Sequence, residues 1–275
     1  KIKVFFVLVD HGLRKKSSEE AFDVKNLLRK NNIKLDILKN KIKISKNIQK
    51  NARDIRYKLL SSYCKRKAVK FLLTAHHQDD QIETFFIRLS RGSGIEGLSS
   101  MNEKTTIAGK INLIRPFLDI KKEDLISVAK NIFGKVLKDP ANKNTKFLRT
   151  NIRNLKKILQ KRGLKPDSIA HSIQNISKTK DAINFYVTKS MQRLVKIKKN
   201  ETILDLKNFK KEPDEIKFRI ITNILTKRTR SYYPPRSYKV INLISRFEGI
   251  KPKKCTLGGC LFEKRNNLLY VSKEL

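Results

Sequence analysis

The chain is predicted to be α/β: a parallel sheet with helices on both faces, then a mainly helical, strongly basic second domain. Three observations carry this reading. Strand and helix signals alternate through the first half, as in a βαβα series. The strand signals are continuous apolar runs rather than alternating ones, as in strands covered on both faces. Beyond about Asn154 the pattern changes to long amphipathic helical periodicity. The expected domains are therefore residues 1–154 and 155–275.

The elements follow in order. Val4 to Val9 reads as a buried strand, closed by Asp10-His11-Gly12. Ser17-Ser18-Glu19-Glu20 has the form of a capping box, opening a helix through about Lys30. Ile33 to Ile44 is strand-like, and Ser45 is placed to cap a helix carrying Ile48, Ala52, Ile55, Leu59 and Tyr63. Val69 to Thr74 reads as a strand buried on both faces. The next helix presents Ile82, Phe85, Phe86 and Leu89 on one side and stops at Arg91-Gly92-Ser93-Gly94. A strand at Ile111 to Ile114 leads to Arg115-Pro116. In the second domain, Ile169 to Leu194 fits one long helix, Ile216 to Ile224 a second, and Val240 to Phe247 a third after Tyr233-Pro234-Pro235. Thr256 to Val271, with Gly258-Gly259 and an Asn266-Asn267 turn, reads as a terminal hairpin.

Composition narrows the function. The chain has 275 residues, with 64 Lys and Arg against 25 Asp and Glu, a net charge of +39. Such a surface attracts polyanions and releases their counterions on binding, which points to nucleic acid; a general lysine bias is the bland alternative. Cys64, Cys255 and Cys260 form no CxxC pair, as expected of reduced intracellular thiols in a cytoplasmic protein. No apolar run approaches the roughly 20 residues of a membrane span, so no membrane partner is expected.

The densest chemistry lies in Thr74-Ala75-His76-His77-Gln78-Asp79-Asp80-Gln81-Ile82-Glu83. A strand that ends where a helix starts is where open α/β sheets bind ligands. Asp79 and Glu83 lie one helical turn apart and can converge on one ligand, and such carboxylates suit magnesium beside phosphates. The competing reading is that acids in a first turn only complement the helix dipole. His76 and His77 lack partners at a zinc-like spacing, so proton transfer or phosphate contact fits them better. Asp10, His11 and Gly12 should share the same carboxyl edge of the sheet. The Gly-rich run Arg91 to Gly97 reads as a mobile loop where Arg88 and Arg91 could meet an anion. Arg149 and Arg153, one turn apart after Asp139-Pro140-Ala141-Asn142, can clamp a phosphate; a solvated basic face is the alternative.

Taken together, Val9-Asp10-His11-Gly12-Leu13-Arg14 and Ala52-Arg53-Asp54-Ile55-Arg56-Tyr57 resemble the tRNA(Ile)-lysidine synthases. So do the His-His-Gln-Asp-Asp segment, Arg91 to Leu98, Arg115-Pro116-Phe117-Leu118 and Asp139 to Asn142, in the family's order. The resemblance covers about residues 4–155, with Thr256 to Cys260 also family-like. It implies a Rossmann-like sheet of the PP-loop ATP pyrophosphatase type. The family's SGGxDS phosphate loop has no counterpart here. The chain is thus expected to lack one strand-loop-helix unit of about 30 residues, including the first strand, and to be incomplete for catalysis as it stands. Two smaller departures are Thr150 after Arg149, where Asn is usual, and Ala141 for a usual Ser.

The resemblance implies a ligase using ATP and Mg2+ on free L-lysine and a tRNA(Ile) with a CAU anticodon. Asp79 and Asp80 are then expected to hold magnesium or orient the reacting groups, with Glu83 in support and His76, His77 or a carboxylate as base. Asp10, His11, Gly12, Thr74, Ala75 and Arg149 are expected around ATP, Arg91 at the reaction centre, and Arg115 and Arg153 at tRNA. A homodimer stays open. Two rivals remain: a related PP-loop enzyme such as a tRNA thiolase, against which the isolated cysteines argue, and a non-catalytic basic RNA-binding fragment.

Overall fold

The structure, a computed structural model, describes residues 2–14, 16–42, 44, 46–107, 111–137, 148–229, 235–249 and 254–274. The chain divides into two compact units, Lys1–Ser177 and Lys178–Leu275. The division falls further along than the composition change at Asn154. The reason is that α6 (Leu148–Lys161) and the first part of α7 (Pro166–Leu194) pack on α3 (Gln78–Leu89) of the first unit.

In the first unit, β1 (Phe6–Asp10) and β2 (Leu35–Lys39) pair in parallel, from Phe6 opposite Leu35 to Asp10 opposite Lys39. They are joined by α1 (Ser17–Arg29), and α2 (Ile48–Arg66) crosses on to β3 (Phe71–Leu73). β3 runs parallel to β5 (Ile111–Ile114), whose other edge takes β4 (Lys104–Ile107) antiparallel. The strands thus form a two-stranded and a three-stranded sheet among the described residues. α4 (Ile95–Leu98) and α5 (Lys122–Phe133) complete this unit with α6.

Three expectations need correction here. β3 is not covered on both faces: Phe71 is 52% and Leu73 63% exposed. It pairs on one side only, so its apolar side chains lack the neighbours that a central strand would have. The Ser17–Glu20 capping box does not form either. Lys16 is the N-cap, without a side-chain cap bond, and Ser18 turns away to donate its hydroxyl to Asp10 Oδ2 at 2.6 Å. The N-cap of α2 is Asn47, in the left-handed region with φ 46°, two residues past the expected cap; Ser45 lies outside the described residues, as do Asp139 to Asn142.

The second unit is more than helices. β6 (Val195–Ile197), β7 (Glu201–Asp205), β8 (Lys254–Leu257), β9 (Cys260–Arg265) and β10 (Leu268–Lys273) form one antiparallel sheet in the order β6-β7-β10-β9-β8. The expected terminal hairpin is therefore a three-stranded meander within a larger sheet. Its tight turns use Gly258 and Gly259, both at positive φ, and Asn266 at φ 53°. α8 (Leu206–Phe209), α9 (Asp214–Thr229) and α10 (Ser237–Glu248) supply the helices. The apolar core joins Ile220, Ile221, Ile224 and Leu225 of α9 to Val240 and Phe247 of α10 and to Phe262, Leu269 and Val271 of the sheet. Among the described residues no helix is long and apolar enough to cross a membrane.

Candidate active site

The first wall of the site is the end of β1. Asp10 Oδ1 accepts the backbone N–H of Gly12 at 3.0 Å, a local turn that needs φ +63° at residue 12, and glycine adopts this without strain. Asn40, just past β2, donates its backbone N–H to Asp10 O and its side-chain amide to His11 O. Burial works against the Asp10 carboxylate, but the bonds from Ser18 and Gly12 hold its pKa below the usual value. The structure thus confines His11 by its backbone while leaving buried Nδ1 without a hydrogen-bond partner among the described residues.

The second wall is the end of β3 and the start of α3. Thr74 extends the parallel pairing by donating its N–H to Ile114 O, and its hydroxyl lies 2.9 Å from His76 Nδ1. Burial pushes the His76 pKa down to about 4, and the fields of Arg115, Arg53 and Arg149 act in the same sense against Asp80. His76 is therefore neutral at neutral pH. His77 is also lowered, first by burial; among the described residues its buried Nδ1 has no hydrogen-bond partner but lies 4.0 Å from Asp79 Oδ2, and its Nε2 lies 3.5 Å from Asp80 Oδ2. Asp80, at the third position of α3, accepts the His77 backbone N–H at 3.1 Å. This is the N3 half of a capping box, so the dipole reading of the first-turn acids is partly right.

The third wall is α6. Its residues 149, 153 and 156 recur at i, i+4 and i+7, on one face. Arg153 meets Glu83 with both Nε at 2.5 Å and Nη2 at 3.3 Å, and Glu83 is only 3% exposed. Lys156 Nζ bonds Asp79 Oδ1, and burial lowers the Lys156 pKa. Arg149 is half-buried, and its field reaches His76 and Arg56. On α2, Arg56 acts on His11 and Arg53 on His76, while the Arg53 guanidinium lies 5.1 Å from the Tyr57 ring centre. Arg53, Arg56 and Arg149 are three cations gathered around the two histidine walls, and such an arrangement favours an anionic ligand.

The expected site residues are thus not equivalent. Asp10, His11, Gly12, Thr74, His76, His77 and Arg149 are held in the two strand-end walls or within electrostatic reach of them. Ala75 is exposed between Thr74 and His76. Arg91 stays exposed, without a side-chain partner among the described residues. Its loop is not loose, because Arg88 donates to the carbonyls of Gly97 and Ser100 at 2.6 and 2.8 Å. Arg115 does not face solvent. It is 4% exposed and donates to Asn102 O and Thr105 Oγ1, which ties β5 to the β4 side. Arg153 is likewise turned inward, onto Glu83.

The expected magnesium ligands do not fit a metal ion as arranged. Asp79 already holds an ammonium, Glu83 a guanidinium and Asp80 a backbone N–H. Among the described residues no group of three or more His, Cys, Asp and Glu is placed to hold a metal. Residues that sequence reasoning left without a role are Lys156, Arg53 and Arg56. The i, i+4, i+7 spacing of 149, 153 and 156 was the available signal for the first.

Comparison with known proteins now gives the relationship. The PP-loop domain model matches residues 1–161, more than half of the chain. The chain belongs to the PP-loop family. Curated relatives named tRNA(Ile)-lysidine synthase are similar over nearly its whole length. The one from Wolbachia pipientis wMel is 33% identical over 97% of this chain, and that from Rickettsia prowazekii 31% identical over 99%. The chain spans about 62% of the first of these relatives and 63% of the second. Among solved structures, the U34-tRNA thiolase NcsA from Methanococcus maripaludis matches with a TM-score of 0.51 and 16% identity. The match covers 62% of this chain and 61% of that one, and it is a likeness of fold. In this PP-loop protein Cys64 and Cys260 are buried and Cys255 half-buried, all three as free thiols.

Proposed function

We propose that this PP-loop protein modifies tRNA as a tRNA(Ile)-lysidine synthase, using ATP to join free L-lysine to the wobble cytidine of an isoleucine tRNA with a CAU anticodon. The observation that carries the reading is the convergence at the β1 and β3 carboxyl ends of His11, His76, Arg53, Arg56 and Arg149, in a chain whose curated relatives bear that name.

In this reading ATP adenylates the cytidine carbonyl oxygen, and pyrophosphate leaves. The lysine ε-amine then attacks the activated ring carbon and AMP departs. Arg53, Arg56 and Arg149 stabilise the charge growing on the phosphates, as preorganised cations can without reorganising. Asp10 and Gly12 hold the β1 turn beside the nucleotide, and Thr74 fixes the His76 ring. The amine must shed a proton before attack. His77 suits that step, since it is neutral and its ring lies beside the Asp79 and Asp80 carboxylates, which stabilise the imidazolium it would become. Asp80 fixes the His77 backbone. No magnesium ligand is assigned to Asp79, Asp80 or Glu83. The second unit, with the remaining basic surface, binds the tRNA body in the cytoplasm.

The test is lysidine formation with radiolabelled lysine, ATP and CAU-anticodon tRNA(Ile), by this chain and by one of its longer relatives. Product that depends on all three substrates is expected from at least the longer form. Incorporation of sulfur instead, or none from either form alongside tight tRNA binding, would favour the thiolase or the binding-module reading.

A further inference from the structure

The acids of α3 and the cations of α6 are one another's partners. We propose that this strip is the seat of α6 rather than a metal centre, and that Arg153 and Lys156 are positioning residues holding Arg149 toward His76 and Arg56. Three observations support it. Two ion pairs span the same two helices one turn apart on each: Asp79 with Lys156 and Glu83 with Arg153. Both pairs are shielded, since Glu83 is buried and Asp79, Lys156 and Arg153 are mostly covered. And α6 is turned contrary to a usual amphipathic helix: Arg149, Arg153 and Lys156 face the protein, while Leu148, Leu155 and Ile158 are exposed with Lys157 and Lys161. Apart from Ile152, few of its apolar residues are buried, so charge does much of the fastening. Arg149 stands on the same face one turn before Arg153 and is aimed by it.

This seat depends on contacts within the chain, whereas its effect on ATP rests on the proposed function. The experiment separates the two. Lys156→Met, Lys156→Arg, Asp79→Asn and the Asp79→Asn/Lys156→Met pair are compared by hydrogen exchange, with α9 as the internal control for folding. Loss of one charged hydrogen bond is expected to speed exchange of α6 amides about tenfold and leave α9 unchanged. Lys156→Arg should restore protection, and the double variant should be no worse than either single one, the mark of a coupled pair. Mn2+ titrated as a probe, read by electron paramagnetic resonance, should bind wild type and Asp79→Asn alike. Slow α6 exchange in Lys156→Met, or a large loss of Mn2+ binding in Asp79→Asn with α6 still protected, would overturn the seat. Lys156→Met and Arg149→Ala should each weaken ATP about tenfold, and together no further. If neither this chain nor one of its longer relatives binds ATP, the functional reading fails while the exchange result still decides the seat.

Discussion

The apolar core inside the second unit is far larger than the apolar cluster beside the candidate site in the first, and the contrast separates what keeps this protein folded from what equips its site. The second unit is a continuous apolar core: helices α9 and α10 lie on the five-stranded sheet, with Phe209, Phe247, Phe262 and Leu204 all but inaccessible. Around the candidate site the corresponding cluster is small, Ile82 with Ile169 and Ile173, edged by Phe85 and Phe86. Buried charge stands beside it there, in Glu83, Asp10 and Arg115, whereas in the second unit the buried charges Lys180, Glu212 and Lys217 accompany a large apolar core. An apolar core gains stability from area alone. A buried ion pair gives back much of its Coulomb energy in desolvation, so its placement suits position better than stability.

The sharpest way to break the contrast is to remove a side chain from the apolar core. Phe262→Ala should cost about 3–5 kcal/mol, read from chemical unfolding followed in the second unit. A loss below 1 kcal/mol would mean that core is not its main support. Next comes Glu83→Gln, which leaves Arg153 half-buried without its carboxylate; about 3 kcal/mol is expected. Glu83→Gln paired with Arg153→Met should recover part of it, and if the pair loses as much as the two singles added, the ion pair is not coupled.

A third effect is pH-dependent. His76 titrates near 4 in the folded chain against 6.5 as a free group. The unfolded chain therefore binds the proton first, and stability falls as pH drops through the window from about 6.5 to 4. His76→Gln should remove up to about 1.4 kcal/mol per pH unit of that slope. Equal slopes for variant and wild type between pH 7 and 5 would show that the imidazole is well solvated. The smallest effect is a local one in the second unit. Asp205 accepts the N–H of Asn208 as the N-cap of α8, and Asp205→Ala should cost about 1 kcal/mol. A thermal melt with an unchanged midpoint would dismiss the cap.

What could be read from the sequence was whatever is contiguous. The strand ending at Thr74 and the helix opening with Asp79 and Asp80 are neighbours in the chain, so their chemistry showed directly. The long helix through Leu194 and the helix at Val240 to Phe247 declared themselves by periodicity. Hidden were the partners from far along the chain. Arg153 and Lys156 look like a solvated basic face until they meet α3, some seventy residues earlier. Arg115 follows a strand and reads as a free cation, yet the β4–β5 pairing folds two acceptors around it. β6 is three residues long and β7 five, too short beside a long helix to register, and only pairing with β10 makes them part of a sheet. The exposure of Phe71 and Leu73 depends on which strands flank β3, which an apolar run does not encode.

The inward-facing charges of α6 also set how that helix answers to temperature. Apolar burial weakens in the cold, so the core around Phe262 loosens as a solution approaches freezing. A helix fastened chiefly through Arg153 and Lys156 lacks much of that dependence, and added salt weakens such fastening only to the extent that water reaches it. Chilled, the second unit should relax before α6 lets go.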